Sequence, residues 1–329
     1  MQILINIGLF IVGLALVTKG ADWLTDGAAS IARRYGISSM VIGLTIVAFG
    51  TSAPELIVSV LAAIQHQPEM SIGNVVGSNI FNALAIMGLT ALIWPVACRK
   101  NTIYYDIPIS IIASLLLMLF AFRDFIMGTS TGNVITTYEG IILLLCFGMF
   151  MVYMFATARR GRAAEKDKES EEEAKPEMSF WAAVGLFLLG LACLVLGGQW
   201  MVNGACGIAE ALGVSQSVIA LTIVAAGTSV PELVTSLMAA KKGDTDMAMG
   251  NVVGSNIFNI LLILGVASCI TPLPLGNIGL RDFVFLVGSA VLLEVFALFF
   301  DKRCKINRIE GAVLVLAAVA YYTLAVVNA

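Results

Sequence analysis

One segment of this 329-residue chain occurs twice, in copies that lie 177 positions apart. Residues 44–88 and 221–265 are identical at 28 of their 45 positions. The longest identical run, Gly-Asn-Val-Val-Gly-Ser-Asn-Ile-Phe-Asn, begins at Gly73 and again at Gly250. Self-similarity at a fixed offset is the signature of a repeated architecture. The sequence therefore predicts two related halves.

Both halves are too apolar to be surrounded by water. Hydrophobic residues make up 59% of the chain and charged residues 12%, about half of the roughly 25% that is typical of soluble domains. Apolar stretches such as 107–122, 141–157 and 283–300 approach the length of about 20 residues that crosses a bilayer core as a helix. The opening residues, MQILINIGLF, lack the basic region and cleavage site of a signal peptide and are interpreted as part of the first span.

The predicted fold class is an all-α membrane protein with ten transmembrane helices, five in each half. The spans cover residues 4–30, 40–64, 71–95, 104–121, 134–157, 180–208, 216–240, 247–270, 283–300 and 309–327. A hydrophilic stretch, residues 159–179, separates the first five-helix repeat (1–158) from the second (180–329). Its dense mixture of charges is typical of a solvated linker.

Lysine and arginine predict how the spans are oriented. If the linker is cytoplasmic, 16 of these residues lie on its side, only Arg123 and Arg281 lie on the other, and Lys19 lies within the first span. Because positive residues collect on the cytoplasmic side, we expect both termini outside. Each half has five spans, which is an odd number, so the second half enters the membrane from the side opposite to the first. Such inverted-topology repeats are typical of secondary transporters, whose binding site lies near the midplane between the repeats.

A pair of carboxylates is the strongest indication of chemistry. Glu55 and Glu232 stand at equivalent positions inside apolar spans, each at the end of a Gly-Thr-Ser-x-Pro-Glu sequence with no Lys or Arg nearby in the chain. An ionised carboxylate in a span is costly unless it is paired, hydrated or bound to a cation. An inverted two-fold relation would bring the two together at one depth. Two facing carboxylates balance one divalent cation, and Ca²⁺ accepts about 6–8 oxygen ligands.

More oxygen atoms are predicted around this pair. Pro54 and Pro231 lack an N–H and disturb the preceding helical turn, which would direct nearby carbonyls into the cavity. The predicted ligands are two carbonyls, four hydroxyls beside the prolines and two Ser/Asn pairs that each share a helix face: Ala48, Ala225, Thr51, Ser52, Thr228, Ser229, Ser78, Asn82, Ser255 and Asn259. A structural alternative stays open, in which the glutamates are protonated beside a kink and the small and amide side chains pack helices together.

Other ionisable residues are less informative. Asp22 and Asp26 lie near one end of the first span, and Lys19, one turn before Asp22, predicts a local ion pair there, with a role in ion entry as the alternative. Glu294 stands inside the ninth span, and no role is assigned to it. Six cysteines without a CxxC pair and a single histidine, His66, argue against zinc and iron–sulfur sites. No cofactor is predicted.

The duplicated motifs resemble those of the cation/calcium exchanger superfamily, and within it the sodium/calcium exchanger branch of prokaryotic type. Gly-Thr-Ser-x-Pro-Glu and Gly-x-x-x-Gly-Ser-Asn-x-x-Asn, once in each half, look like the two alpha repeats of that family, and the resemblance covers the whole chain. It implies an antiporter, not an enzyme, that works by alternating access with the first and sixth spans sliding against the rest. It also implies that Glu55 and Glu232 bind Ca²⁺ and serve as ligands of Na⁺ as well, with Thr51 and Thr228 beside the metal and the other predicted ligands forming the sodium sites.

The resemblance also informs the subtype. Potassium-dependent relatives carry Asp where this chain has Asn259, so K⁺-independent exchange is expected, and it is electrogenic if more than two Na⁺ replace one Ca²⁺. The linker, about 20 residues long, is too short for the regulatory domains of animal exchangers, which favours a prokaryotic inner membrane. The expected partners are the lipid bilayer and the transported Ca²⁺ and Na⁺ ions, with no nucleic acid and no obligate protein partner.

Three alternatives remain at the level of sequence. The first is a Ca²⁺ antiporter coupled to H⁺ or K⁺, which differs in the gradient that drives uptake. The second is an ion channel built around the same oxygen-rich site, although an inverted repeat with paired glutamates is a poor guide to a continuous pore. The third is an intramembrane enzyme, which is disfavoured because the chain has no HExxH or GxSxG sequence and His66 is predicted to lie in an external loop.

Overall fold

The structure is a computed structural model that describes residues 2–65, 67–123, 133–166, 178–212, 225–299 and 304–327. These residues form twelve helices and four very short strands. The helices are α1 (Gln2–Tyr35), α2 (Ser39–Thr51), α3 (Ala53–Ile64), α4 (Pro68–Ile93), α5 (Thr102–Ala121), α6 (Thr137–Lys166), α7 (Phe180–Ala211), α8 (Ala225–Gly227), α9 (Val230–Lys241), α10 (Thr245–Ile270), α11 (Leu280–Phe299) and α12 (Arg308–Val327). The strands are β1 (Val96–Ala97), β2 (Val134–Ile135), β3 (Leu273–Pro274) and β4 (Lys305–Ile306).

Seven of the described helices are long and apolar enough to cross a membrane, and the bent pair α2–α3 would be an eighth. The protein is therefore an all-helical, multi-pass membrane protein. The count of ten spans remains a prediction, because the seventh predicted span begins among residues 213–224, outside the described residues, and α11 carries three charged residues. The fifth predicted span ends earlier than the observed helix: α6 continues to Lys166, through a stretch rich in good helix formers. The rest of the linker, like His66, lies largely outside the described residues.

Two helices are interrupted next to the predicted site. α2 and α3 meet at Ser52 with an angle of 47° between them, and α8 is followed by α9 after a similar break at Ser229. Pro54 and Pro231 stand in the first turns of α3 and α9, where the missing N–H has no helical acceptor to lose. Each break therefore places the N-terminus of a new helix immediately before a glutamate.

α1 and α7 pack along their length as an antiparallel pair. Gly13 meets Gly197, and one heptad further along Gly20 meets Gly190. A Cβ atom on Gly20 would lie 2.7 Å from the carbonyl oxygen of Gly190, so the two backbones touch without intervening side chains. Small residues that allow such close approach are typical of helix interfaces in membranes.

α4 and α10, the central helices, run in opposite directions. Arg99, just beyond α4, pairs with Asp246 in the first turn of α10 at 2.5 Å. At the other end, Glu69 in the first turn of α4 lies against Gly276, just beyond β3. The first end also holds the antiparallel pair β1–β4, and the second holds β2–β3. We call these ends the β1–β4 face and the β2–β3 face.

Burial distinguishes central helices from peripheral ones. In an 18-residue apolar stretch of each helix, 72% of α4 and 78% of α10 are buried inside the protein, whereas in α6 only 17% is buried. Large apolar side chains such as Ile112, Leu145 and Val152 point outward, as expected of a surface that meets lipid. The repeated segments therefore form the interior, where the polar residues of the chain must find partners among themselves.

Candidate functional site

Glu55 and Glu232 lie at the centre of the interior. They occupy the first turns of α3 and α9, and neither has any exposed surface. The N-terminus of a helix carries a partial positive charge that favours a carboxylate. The two helix breaks thus present both glutamates to the interior on the favourable end of a short helix.

Serine residues tie each glutamate to the opposite half. Ser52 Oγ donates to Glu232 Oε1 at 2.8 Å, and Ser229 Oγ donates to Glu55 Oε1 at 3.3 Å. Ser255 Oγ makes a longer bond of 3.4 Å to Glu232 Oε1. Because the first two bonds are related by the 177-residue offset, the pair of glutamates lies at the boundary between the halves.

Asparagine side chains of α4 and α10 make a second reciprocal set of bonds. Asn79 Nδ2 donates to the backbone oxygen of Asn256 at 3.1 Å, and Asn256 Nδ2 donates to that of Asn79 at 3.4 Å. Asn82 Nδ2 donates to Asn256 Oδ1 at 3.1 Å, and Asn259 Nδ2 donates to Asn79 Oδ1 at 2.9 Å. Asn82 and Asn259 stand in widened π-helical turns, which are frequent at functional sites. The hydrogen bonds of these four amides follow a local two-fold rotation that relates α4 to α10.

Asn74 and Asn251 were not identified from the sequence, although they hold the backbone of the site. Asn251 Nδ2 donates to the carbonyl of Glu232 at 3.2 Å and to Ser236 Oγ at 3.0 Å. Asn74 Nδ2 makes the equivalent bond to the carbonyl of Glu55 at 3.4 Å. Both belong to the identical ten-residue run, so the signal was present, but spacing alone did not separate them from packing residues.

The predicted carbonyl ligands, Ala48 and Ala225, differ from the predicted side-chain ligands because they belong to the helix backbone. The Ala48 carbonyl accepts the N–H of Ser52 at 3.0 Å and lies 3.4 Å from Thr51 Oγ1. It keeps its helical bond, so a role as a ligand would use its second lone pair. Ala225 begins α8 at the equivalent position. Thr51 is itself held, since its hydroxyl also lies 3.1 Å from Asn251 Oδ1.

Six buried oxygen atoms of the predicted site have no hydrogen-bond partner among the residues that the structure describes. They are Glu55 Oε2, Glu232 Oε2, Asn82 Oδ1, Asn259 Oδ1, Ser78 Oγ and Thr228 Oγ1. Leaving one such group unsatisfied costs about 1–3 kcal/mol, and native structures usually satisfy it with water or an ion. Two carboxylate oxygens and four neutral oxygens are the donor set that hard cations such as Na⁺ and Ca²⁺ prefer. The residues present therefore fit a cation as the substrate.

No basic side chain neutralises the two glutamates within the described residues. The ion pairs found there use Asp22, Asp26, Glu139, Asp246 and Asp282 as acids. Nor does that part of the chain hold a group of three or more His, Cys, Asp or Glu side chains that would suit a metal ion. The site therefore combines two carboxylates with neutral oxygens.

A cavity of about 250 Å³ lies next to the glutamates on the side of the β2–β3 face. Its inner end is lined by Pro54, Thr228 and Pro231, and its outer part by Gln199 and Asn203 of α7. The volume is several times the roughly 30 Å³ that one water molecule occupies in the liquid. It is therefore large enough for a cation with part of its hydration shell.

The ion pair predicted for Asp22 has a different partner. Lys242, just after α9, lies 2.6 Å from Asp22 Oδ1 and 2.8 Å from Asp26 Oδ1, whereas Lys19 is exposed. Proximity in sequence favoured Lys19, but the fold brings the end of α9 against α1. Glu294 is partly buried and its Oε2 has no partner; its surroundings assign it no role.

Comparison with known proteins gives a consistent result. The family model described as sodium/calcium exchanger protein matches residues 5–156 and 182–327. CaxA of Alkalimonas amylolytica is 41% identical over 317 residues, covering 94% of this chain and 95% of that protein. The sodium/calcium exchanger MaX1 of Methanosarcina acetivorans is 34% identical over 348 residues, covering 97% and 98%.

A solved structure has the same fold. The sodium–calcium exchanger NCX_Mj superposes with a TM-score of 0.80 at 33% sequence identity, covering 97% of this chain and 98% of that one. At this identity and coverage the similarity extends from the repeated motifs to the whole helical arrangement.

Proposed function

This chain belongs to the sodium/calcium exchanger protein family, and from that premise we propose that it exchanges Na⁺ for Ca²⁺ across a membrane by alternating access. The observation that carries the proposal is the buried pair Glu55 and Glu232, each with one oxygen that no other described residue hydrogen-bonds. A dianionic cavity is costly inside a membrane protein. Occupancy by one Ca²⁺ or by several Na⁺ removes that cost, so only a loaded site changes sides.

The proposed ligands are those whose oxygens surround the pair. Glu55, Glu232, Thr51 and Thr228 are assigned to the metal itself. The sodium sites around it are assigned to the remaining hydroxyls, amides and carbonyls: Ser52, Ser229, Ser78, Ser255, Asn82, Asn259, Ala48 and Ala225. The free oxygens of Ser78, Asn82, Asn259 and Thr228 support these roles. Competition follows because both loads together would overcharge the cavity.

The proposed architecture is ten spans in two inverted five-helix repeats, residues 1–158 and 180–329. The antiparallel course of α4 and α10 supports inversion, as do the reciprocal bonds across the glutamate pair. Together with the distribution of Lys and Arg, this supports the proposal that linker 159–179 faces the cytoplasm and that both termini lie outside. The proposed location is a prokaryotic inner membrane.

The proposed exchange is independent of K⁺ and electrogenic. Asn259 is fully buried and neutral, and its amide is bound to Asn79. The site therefore carries two negative charges, which one Ca²⁺ balances without a further cation. More than two Na⁺ per Ca²⁺ would move net charge across the membrane.

The decisive experiment is radioactive Ca²⁺ uptake by the purified protein in Na⁺-loaded vesicles diluted into Na⁺-free buffer. Uptake is expected to need internal Na⁺ and to ignore K⁺ and pH gradients. A negative internal potential should slow the coupled exit of Na⁺. Uptake driven only by H⁺, or requiring K⁺, would contradict the proposed coupling, and Ca²⁺ flux without any counter-ion would indicate a channel.

A further inference from the structure

The cavity beside the glutamates has a repeat-related counterpart on the other side of the site. Shifting its lining residues by 177 positions gives residues between the glutamates and the β1–β4 face. This counterpart is more polar: Val58 corresponds to Thr235, and Val202 to Thr25. At the two outer positions the neutral side chains become acidic, Gln199 corresponding to Asp22 and Asn203 to Asp26.

The counterpart is closed in this structure. Thr235 has no exposed surface, and none of the described residues hydrogen-bonds its hydroxyl. Beyond it, the Lys242 ammonium binds four oxygens of α1: Asp22 Oδ1 at 2.6 Å, Asp26 Oδ1 at 2.8 Å, the Asp22 carbonyl at 2.8 Å and Thr25 Oγ1 at 3.0 Å. These bonds attach the end of α9 to α1 across the outer end of the closed path.

At the repeat-equivalent positions of the open side, the described residues carry no such charged attachment. The residue equivalent to Lys242 is Gln65, and the residues equivalent to Asp22 and Asp26 are Gln199 and Asn203. None of these three carries a charge. Two repeat-related paths thus lead from the glutamates, one to each face. The path to the β1–β4 face, which carries Lys242, Asp22 and Asp26, is closed, and the path to the β2–β3 face contains the cavity.

We propose that Lys242, Asp22 and Asp26 form a latch that holds the path to the β1–β4 face closed, and that the Lys242 ammonium leaves both carboxylates when that path opens. The proposal rests on the alternating access proposed above. Lys242 acts as a positioning residue: it follows α9, whose first turn carries Glu232, and it holds that helix against α1, which packs as one unit with α7.

The latch is strong enough to bias the exchanger and weak enough to release. The side chain of Lys242 is 28% exposed, that of Asp22 33% and that of Asp26 51%. Ion pairs with this exposure are screened by water. Removing the ammonium is therefore expected to shift the balance between the two open states by about two- to ten-fold.

Side-specific labelling tests the latch. In a background with the six native cysteines replaced, Thr235→Cys reports the closed path and Val58→Cys the open one. Each is treated with a membrane-impermeant maleimide from either face of oriented vesicles. Lys242→Met is expected to raise the labelling rate of Thr235→Cys about two- to ten-fold and to lower that of Val58→Cys. Lys242→Arg, which keeps the charge, should leave both rates close to the parent values.

A second measurement leaves Lys242 in place. Choline chloride at about 1 M shortens the Debye length to about 3 Å, so it should raise labelling of Thr235→Cys and not that of Val58→Cys. Unchanged labelling of Thr235→Cys under both treatments would overturn the latch. So would a parallel rise at both positions, since that indicates general loosening.

The labelling needs no ion flux, which separates this proposal from the proposed function. A shift in labelling without Na⁺-driven Ca²⁺ uptake would keep the latch and refute the exchange. Normal Na⁺-driven Ca²⁺ uptake with unshifted labelling would keep the exchange and refute the latch.

Discussion

Each of the two central carboxylates uses one oxygen to connect the halves and leaves the other available. Oε1 of Glu55 and of Glu232 accepts a hydrogen bond from a serine hydroxyl of the opposite half, and Oε2 has no partner in the described part of the chain. The same side chain thus serves as a structural tie and, in the proposed mechanism, also as a ligand. Its structural part survives replacement by an amide, whose carbonyl oxygen still accepts the serine proton.

Glu55→Gln and Glu232→Gln are therefore expected to fold but not to transport. Changes in the outer shell of a metal site already cost about 10–100-fold, so loss of a directly bound carboxylate should lower Ca²⁺ uptake by at least about 100-fold. Uptake in Na⁺-loaded vesicles measures this, with gel filtration as the test of folding. Glu294→Gln, which removes a partly buried carboxylate elsewhere, is the matched control and should retain exchange.

Asn259→Asp should add a requirement for a further cation. The new carboxylate raises the charge of the site to three, and one Ca²⁺ no longer balances it. We expect uptake by this variant to rise when K⁺ replaces choline, and uptake by the parent protein to be the same in both salts. Asn277→Asp adds the same charge at an exposed turn and should behave like the parent. A K⁺-dependent parent protein would refute the argument from charge.

Among the secondary-structure elements, the two broken helices have the largest effect on the backbone around Glu55 and Glu232. A continuous helix would bond every backbone N–H near the glutamates to its own chain. The breaks at Ser52 and Ser229 instead begin new helices there, and Pro54 and Pro231 suit those first turns.

Replacing the proline tests this directly. Pro54→Ala restores an N–H that can bond to the Gly50 carbonyl, so it should straighten the α2–α3 bend and slow Ca²⁺ uptake. Pro68→Ala changes a proline that also stands in a first helical turn, that of α4, but away from any break, and uptake should be nearly unchanged. Equal uptake by both variants would show that the bend does not depend on Pro54.

The contact between α1 and α7 makes a prediction of its own. A Cβ on Gly20 would lie 2.7 Å from the Gly190 carbonyl, whereas a Cβ on Gly8 of the same helix meets nothing within 4 Å. Gly20→Ala should therefore destabilise the protein by about 1–3 kcal/mol through overpacking. Thermal unfolding in detergent would show a lower midpoint for Gly20→Ala than for Gly8→Ala. Equal midpoints would mean that the two helices separate readily.

The sequence predicted elements more completely than it predicted contacts. Apolar length located most spans, and the duplicated motifs located Glu55 and Glu232, because burying a carboxylate leaves a recognisable pattern. Contacts between distant segments were missed: Asn251 supports the backbone of Glu232, and Lys242 replaces Lys19 as the partner of Asp22. Neither pairing has a signal in local spacing, since it depends on how the two halves meet.

At the scale of the whole molecule, the proposed inverted arrangement predicts which segments between the spans face which side of the membrane. In the cysteine-free background, Ser170→Cys in the linker should react with an impermeant maleimide only from the cytoplasmic side. Ser130→Cys, between the fourth and fifth predicted spans, should react only from outside. Labelling of both from one side would contradict an odd number of spans between them.

The reciprocal bonds between the halves are of the kind that a symmetric dimer makes across its axis, where residue i meets j and j meets i. Ser52 with Glu232 and Ser229 with Glu55 satisfy that rule within one chain. A single half therefore carries the complementary groups that an inverted copy of itself would need for assembly. Within one chain the two copies need not be identical. The two copies differ at Asp22 and Asp26, whose counterparts are Gln199 and Asn203. With the proposed latch, this difference makes the two access paths of the exchanger unequal.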